Sequence, residues 1–251
     1  MSIITNFVLL LKAQKDDPED EYELILKKNN YTFQQVKTID FNYVNLSVLK
    51  NKLLNPNGYN GIVFSSPRCV NAVKLALDTR HLPVDWKSKS NYVVGEATYK
   101  AALKELDLDC LGRDTGNADV LSQLMLKEST KCKMDFLYPH GNLKMDILKD
   151  KFEGTNLTLN EILVYETVPN KHIRKEFQDA TNNFKNLPEY IVFFSPSGVK
   201  AVDDIIKCLP TELIKMIAIG PTTEAAMINA GLEVFGTAEK PTAQHVLNIL
   251  L

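Results

Sequence analysis

Ser66 and Ser195 each stand directly before a proline, and each follows an apolar run that reads as a buried strand. Residues 62–73 read I-V-F-S-S-P-R-C-V-N-A-V, and residues 191–202 read I-V-F-F-S-P-S-G-V-K-A-V. Serine suits the N-cap of a helix, and proline suits the first helical position, where a missing N–H is no loss. A strand that feeds straight into such a helix presents free backbone N–H groups and a positive dipole end. Its chemistry is anion binding. Ser65, Ser66, Arg68 and Thr98 in one copy, and Ser195, Ser197, Thr222 and Thr223 in the other, are the candidate ligands. Lys12, Arg68 and Lys215 would add positive charge.

The elements that must position these groups are also duplicated. Residues 92–105, Y-V-V-G-E-A-T-Y-K-A-A-L-K-E, are echoed by residues 216–231, M-I-A-I-G-P-T-T-E-A-A-M-I-N-A-G. Leu111-Gly112 and Phe235-Gly236 close a short third strand in each copy. Asp119 and His245 begin a last helix. A period this long is a duplication of domains rather than a solenoid repeat.

The remaining chain contains a second repeated unit. Strand 7–11, helix 21–28 and the long extended run 32–41 match strand 135–139, helix 143–152 and the long run 157–168. In one lobe this unit comes first, and in the other it comes last. The second lobe is therefore inserted in the first and circularly permuted relative to it. The expected fold is α/β: two flavodoxin-like parallel-sheet lobes of strand order 2-1-3-4-5, joined by a two-strand linker. Lobe 1 is expected over residues 1–37 and 172–251 and lobe 2 over 42–160. The linker strands, 32–41 and 157–168, should pair as a short ladder. Ligands of such sheets bind beyond the carboxyl ends of the strands, so two such edges across a hinge imply a wide cleft for a large, multiply anionic molecule.

Composition narrows the function. The chain has 251 residues, 45% hydrophobic and 24% charged, which allows two ordinary globular domains. Its net charge of −2 argues against a general nucleic-acid or membrane-surface binder. No apolar run is long enough to span a membrane and residues 1–6 lack a signal-peptide pattern, so a cytosolic location is the default. Cys69, Cys110, Cys132 and Cys208 show no metal-ligand spacing; Cys69 and Cys208 read as buried thiols. Neither a Walker loop nor G-x-G-x-x-G is present, which disfavours nucleotides. The histidines, His81, His140, His172 and His245, lie in separate contexts, with only His140 on a loop at the ligand edge. A reaction that needs one acid and strict positioning fits better than one that needs a metal or a covalent intermediate.

The segments G-I-V-F-S-S-P-R, V-V-G-E-A-T, Y-P-H-G-N-L-K, V-Y-E-T-V, F-F-S-P-S-G, I-G-P-T-T and T-A-E-K-P-T, in this order over residues 7–250, resemble the uroporphyrinogen-III synthase family, animal type. The resemblance implies a cofactor-free, metal-free lyase of haem biosynthesis. Its substrate would be hydroxymethylbilane, a linear tetrapyrrole with eight carboxylates. The enzyme would remove water, invert the terminal D ring and close the macrocycle, through an azafulvene and a spiro-pyrrolenine. The family's candidate acid is the tyrosine of the V-Y-x-T-V strand, here Tyr165. Its binding hydroxyls match Ser66, Thr98, Ser197 and Thr223, and its lysine matches Lys215. Ser65 replaces the family's threonine and keeps a hydroxyl. The resemblance also implies a monomer, with transient contact to the preceding pathway enzyme. A non-catalytic two-lobed binder of polyanions would share the same cleft.

Overall fold

The computed structural model describes residues 2–13, 20–143 and 146–251. Most of the charged loop expected at 13–20, and two positions of the helix expected at 143–152, lie outside the described residues. In chain order the elements are β1 Ser2–Lys12, α1 Glu21–Lys28, β2 Thr32–Lys37, β3 Ile39–Tyr43, α2 Leu46–Leu53, β4 Gly61–Phe64, α3 Pro67–Leu77, β5 Tyr92–Val93, α4 Gly95–Leu106 and α5 Ala118–Glu128. They continue with β6 Met134–Gly141, α6 Ile147–Phe152, β7 Leu157–Pro169, α7 Ile173–Ala180, β8 Asn186–Phe193, α8 Pro196–Ile206, β9 Lys215–Ala218, α9 Pro221–Asn229, β10 Gly236–Thr237 and α10 Ala243–Leu250.

The chain divides into two compact units, Met1–Asp40 with Val168–Leu251, and Phe41–Thr167. The first unit holds a five-stranded sheet of order β10-β9-β8-β1-β2, all parallel. Counted within the unit, that is the order 2-1-3-4-5. Its strands are buried on both faces, as parallel strands are. Leu9 and Leu11 of β1 pack with Phe177, Val199, Val202 and Met227 of α7, α8 and α9. Val8 and Leu10 point the other way, onto Tyr22 and Leu26 of α1 and Val246 and Leu250 of α10. The strand period of two thus divides one apolar run between two half-cores.

The second unit repeats this plan with β7-β6-β4-β5 parallel. Ile62 and Phe64 face α2, α3 and α4, and Val63 faces Leu121 of α5 and Phe152 of α6. Two details differ from the sequence expectation. The fifth parallel position shrinks to one bridge, Tyr92 to Leu111, and the sheet gains β3 on the outer side of β7 instead. The run at 32–41 is not one strand. It breaks at Thr38, whose N–H reaches Lys12 O, because β2 is a parallel neighbour of β1 while β3 belongs beside β7. β3 lies beside β7, with Asn170 N–H reaching Thr38 O at one end and Val44 N–H reaching Val164 O at the other. Partner numbers fall as the chain advances, so this ladder is antiparallel.

The segment before residue 7 extends β1. Ser2–Ile4 pair with Asn186–Pro188 of β8, and an irregularity around Asn6 (φ 57°) shifts the register before pairing resumes at Val8 with Tyr190. Glu189 accepts the Asn6 N–H at 2.9 Å and holds this irregularity. Cys69 is buried, as expected, but Cys208 is exposed past the end of α8. Cys110 is the buried thiol instead; burial pushes it up to about 12, so it stays protonated and inert.

Candidate active site

At the carboxyl edge of the second unit's sheet, three helices begin close together. α3 begins after Ser66, α4 after Val94, and α5 after Asn117, whose side chain accepts the Val120 N–H at 3.0 Å. Helix starts cluster there because each parallel strand hands the chain to its crossover helix at that edge. They frame a pocket of about 580 Å³. Its walls include Ser65 and Ser66 after β4, Asn117, Tyr138 and Gly141 of β6, and Tyr165 of β7.

Tyr165 reaches this pocket by register. Its backbone pairs with Gly141 across a slip after His140. A Cβ on Gly141 would lie 2.4 Å from Cζ and 2.7 Å from Oη of Tyr165, so the ring rests on bare backbone. The loop expected at His140 is strand instead. In the structure β6 runs through Gly141, since β7 continues alongside and Asn142 exchanges bonds with Tyr165 O and the Thr167 N–H. Phe41 and Tyr43 pack edge-on against the Tyr165 ring, with centroids 6.1 and 6.5 Å away. His140 Nδ1 lies 2.9 Å from Gly141 O, its proton satisfied by that carbonyl.

The Tyr165 hydroxyl stands 3.4 Å from Ser66 Oγ. That is longer than a formed O–H···O bond, as catalytic contacts often are before substrate arrives. Ser66 has the extended backbone of an N-cap, but its side chain makes no capping bond. Oγ lies 3.3 Å from Cys69 Sγ, and Ser65 Oγ lies 3.7 Å from the same sulfur. Burial pushes the Cys69 thiol up, against smaller opposing effects of the two serines, so the sulfur remains S–H. Arg68, in the first turn of α3, lays its guanidinium 3.7 Å over the Phe41 ring. At the rim, Asp119 is held below the usual carboxylate range by its hydrogen bond to Lys151.

The other candidates divide by location. Thr98 is buried and its hydroxyl donates to Val94 O at 2.9 Å, so that side chain belongs to the helix rather than to the pocket. In the first unit, Ser195 caps α8 by accepting the Gly198 N–H at 3.0 Å, and the exposed Ser197 hydroxyl is 3.0 Å from it. Thr222 is exposed at the start of α9; Thr223 beside it is buried. Both segments lie at the carboxyl edge of the first sheet.

Lys215 stands at the other end of its strand. It is the first residue of β9, level with Tyr190 and three residues before Ala218 at the carboxyl end. It therefore lies at the amino side of the sheet, where Glu189 takes its ammonium at 3.1 Å and Tyr190 at 3.1 Å. Sequence order placed it before the I-G-P-T-T helix start, but strand direction carries it away from that edge. Lys12, at the carboxyl end of β1, is buried and paired with Asp20. Tyr138, Gly141 and Asn117 are absent from the sequence candidates, and Cys69 is there only as a buried thiol. Only Asn117, one residue ahead of a helical pattern, carried a readable signal.

Among the described residues, no group of three or more His, Cys, Asp or Glu could hold a metal ion. A family profile described as "Uroporphyrinogen-III synthase HemD" matches residues 21–248. The chain belongs to the uroporphyrinogen-III synthase family. It is similar to the uroporphyrinogen-III synthase of Saccharomyces cerevisiae, 26% identical over 97% of this chain and 94% of that protein. The crystal structure of uroporphyrinogen-III synthetase from Helicobacter pylori aligns with a TM-score of 0.61 at 18% identity, over 96% of both chains. A mutant uroporphyrinogen III synthase from Thermus thermophilus aligns with a TM-score of 0.52 at 13% identity, over 96% of both chains. At such identities the structural matches speak for the fold. Uroporphyrinogen-III synthases are lyases, and this chain is one by family.

Proposed function

We propose that Tyr165 is the acid of this uroporphyrinogen-III synthase and that the pocket beside it receives the hydroxymethyl end of hydroxymethylbilane. In the reaction the linear tetrapyrrole loses water, its terminal ring D inverts, and the macrocycle closes to uroporphyrinogen III for haem. The Tyr165 proton goes to the leaving hydroxyl. The C–O bond breaks with its electron pair on oxygen, and water departs. The pyrrole nitrogen supplies electrons to the carbon as the azafulvene forms, and its own proton returns to the Tyr165 phenolate, which restores the acid. The observation that carries this reading is the Tyr165 hydroxyl, 3.4 Å from Ser66 in a pocket framed by three helix starts.

The helix starts supply the binding chemistry. The Ser65 hydroxyl and the backbone N–H groups at the start of α3 take substrate carboxylates, and Ser195, Ser197 and Thr222 present the same chemistry at the carboxyl edge of the first unit's own sheet. Arg68 adds charge at the first of these edges. Thr98 and Thr223 contribute through the position of their helix turns, since their side chains are buried. Spontaneous closure gives the uninverted isomer, so the enzyme's main work is orientation. The reading extends to a monomer in the cytosol that acts without cofactor. Among the described residues, no helix is long and apolar enough to cross a membrane. A substrate that closes wrongly on its own favours a transient contact with the enzyme that makes it.

Isomer analysis tests the activity. With hydroxymethylbilane, the protein should direct the product to the III isomer. Only the I isomer, at the spontaneous rate, would leave a polyanion binder.

A further inference from the structure

We propose that Cys69 is a positioning residue for this reaction: its buried thiol holds the Ser66 hydroxyl off the helix cap and turned towards Tyr165. The inference rests on the reading of Tyr165 as the acid.

The internal repeat supplies the comparison. Ser65-Ser66-Pro67-Arg68-Cys69 corresponds, residue for residue, to Phe194-Ser195-Pro196-Ser197-Gly198. The two cap serines share one backbone conformation, φ −161° and ψ 158° for Ser66 and φ −164° and ψ 156° for Ser195. Their side chains do different things. Ser195 Oγ accepts the N–H of Gly198, the third helical residue, at 3.0 Å. The N–H of the equivalent Cys69 goes to the Ser66 carbonyl at 3.1 Å, and Ser66 Oγ lies between Cys69 Sγ at 3.3 Å and Tyr165 Oη at 3.4 Å. Forgoing a cap bond is unfavourable, so a competing partner must hold the hydroxyl. Glycine offers none at that position. The thiol does, directly beneath the serine.

The chain of donors has one useful direction. The buried thiol is neutral and gives its S–H to Ser66 Oγ. Ser66 then gives its own proton towards Tyr165 Oη. The phenol's proton is the one that passes to the leaving hydroxyl, and the negative charge that builds on Oη as it leaves meets a donor already in place. Ser66 and Cys69 keep their protons throughout; only the phenol proton is transferred.

Cys69→Ala and Cys69→Ser in the full chain test this, with turnover of hydroxymethylbilane and crystal structures of both. Cys69→Ala should lower kcat roughly 2- to 10-fold, the worth of one hydrogen bond, with KM nearly unchanged. In its structure Ser66 Oγ should swing onto the residue-69 amide, as Ser195 does on Gly198. Cys69→Ser keeps a donor and should recover most of the kcat. In a Ser66→Ala background, Cys69→Ala should cause no further loss, whereas a purely structural cysteine would act additively. Unchanged kcat in Cys69→Ala, a Ser66 that stays on Tyr165, or additive losses would each overturn the proposal. Normal turnover by Tyr165→Phe would remove the acid reading alone, and the Ser66 rotamer in Cys69→Ala would still decide whether the thiol positions it.

Discussion

Ser66 and Tyr165 are 99 positions apart in sequence, and their hydroxyls are 3.4 Å apart in the fold. Parallel topology brings them together. β4 and β7 flank β6, all three end at one edge, and Gly141 of β6 leaves room for the ring between them. The pair differs from its counterpart in the other unit, where the Ser195 hydroxyl caps its own helix.

That difference predicts opposite effects for one substitution. Ser195→Ala removes an N-cap and should destabilise the fold by about 1 kcal/mol. Ser66→Ala removes no cap and should cost less stability, yet it should lower kcat by roughly 2- to 10-fold through the lost contact to Tyr165. Urea denaturation and steady-state kinetics on both variants check this. Equal stability losses would mean that Ser66 caps α3 in solution.

Gly141→Ala should impair turnover with little change in stability. Its Cβ would meet Tyr165 ring atoms at 2.4–2.7 Å, and the ring must move away. The outer end of an aromatic side chain can shift without unfolding a strand. Turnover should fall towards the level of Tyr165→Phe, while thermal unfolding stays within a few degrees. Full activity would show that the acid tolerates displacement.

Lys215→Met should affect stability and not catalysis. The Tyr190 hydroxyl and the Glu189 carboxylate raise the Lys215 ammonium. Burial pushes Glu189 up, but the Asn6 N–H, Lys215 and the Tyr190 hydroxyl together hold it below the usual carboxylate range. A raised lysine stabilises below its unfolded value of about 10.4, and a lowered carboxylate stabilises above its unfolded value of about 4.3. The pair therefore contributes fully between about pH 5 and 10, is lost in acid as Glu189 protonates, and is lost in alkali as Lys215 deprotonates. At neutral pH the substitution should cost about 0.2–1 kcal/mol, since the pair is partly exposed. The gap to the parent protein should close by about pH 3. A raised KM for hydroxymethylbilane would return Lys215 to the substrate.

Much of this was legible because the chain says it twice. The paired Ser-Pro starts, the matching glycines and the permuted leftover units imply two sheets of one topology. What stayed hidden depends on direction and on neighbours. Lys215 lies next in sequence to a ligand-edge motif, but a four-residue strand separates it from that edge. The break at Thr38 has no glycine or proline to announce it; it is set by which strand each half pairs with. Ser66 and Ser195 give one cap signal, and the residue three places on, Cys69 or Gly198, decides which of them caps. Gly141 carries no sequence signal because its role, making space for a ring from another strand, is tertiary.

The central claim is that Tyr165 donates the proton that releases water. The measurement that meets it most directly is kcat and KM of Tyr165→Phe with hydroxymethylbilane. An interaction that strengthens only as the C–O bond breaks lowers kcat and leaves KM nearly unchanged. General-acid help is worth ~10²–10⁴-fold, so kcat should fall by at least ~10-fold. A Tyr165→Phe enzyme with near-normal kcat would contradict the account: the ring would be packing, and the electron-rich pyrrole would expel the hydroxyl unaided.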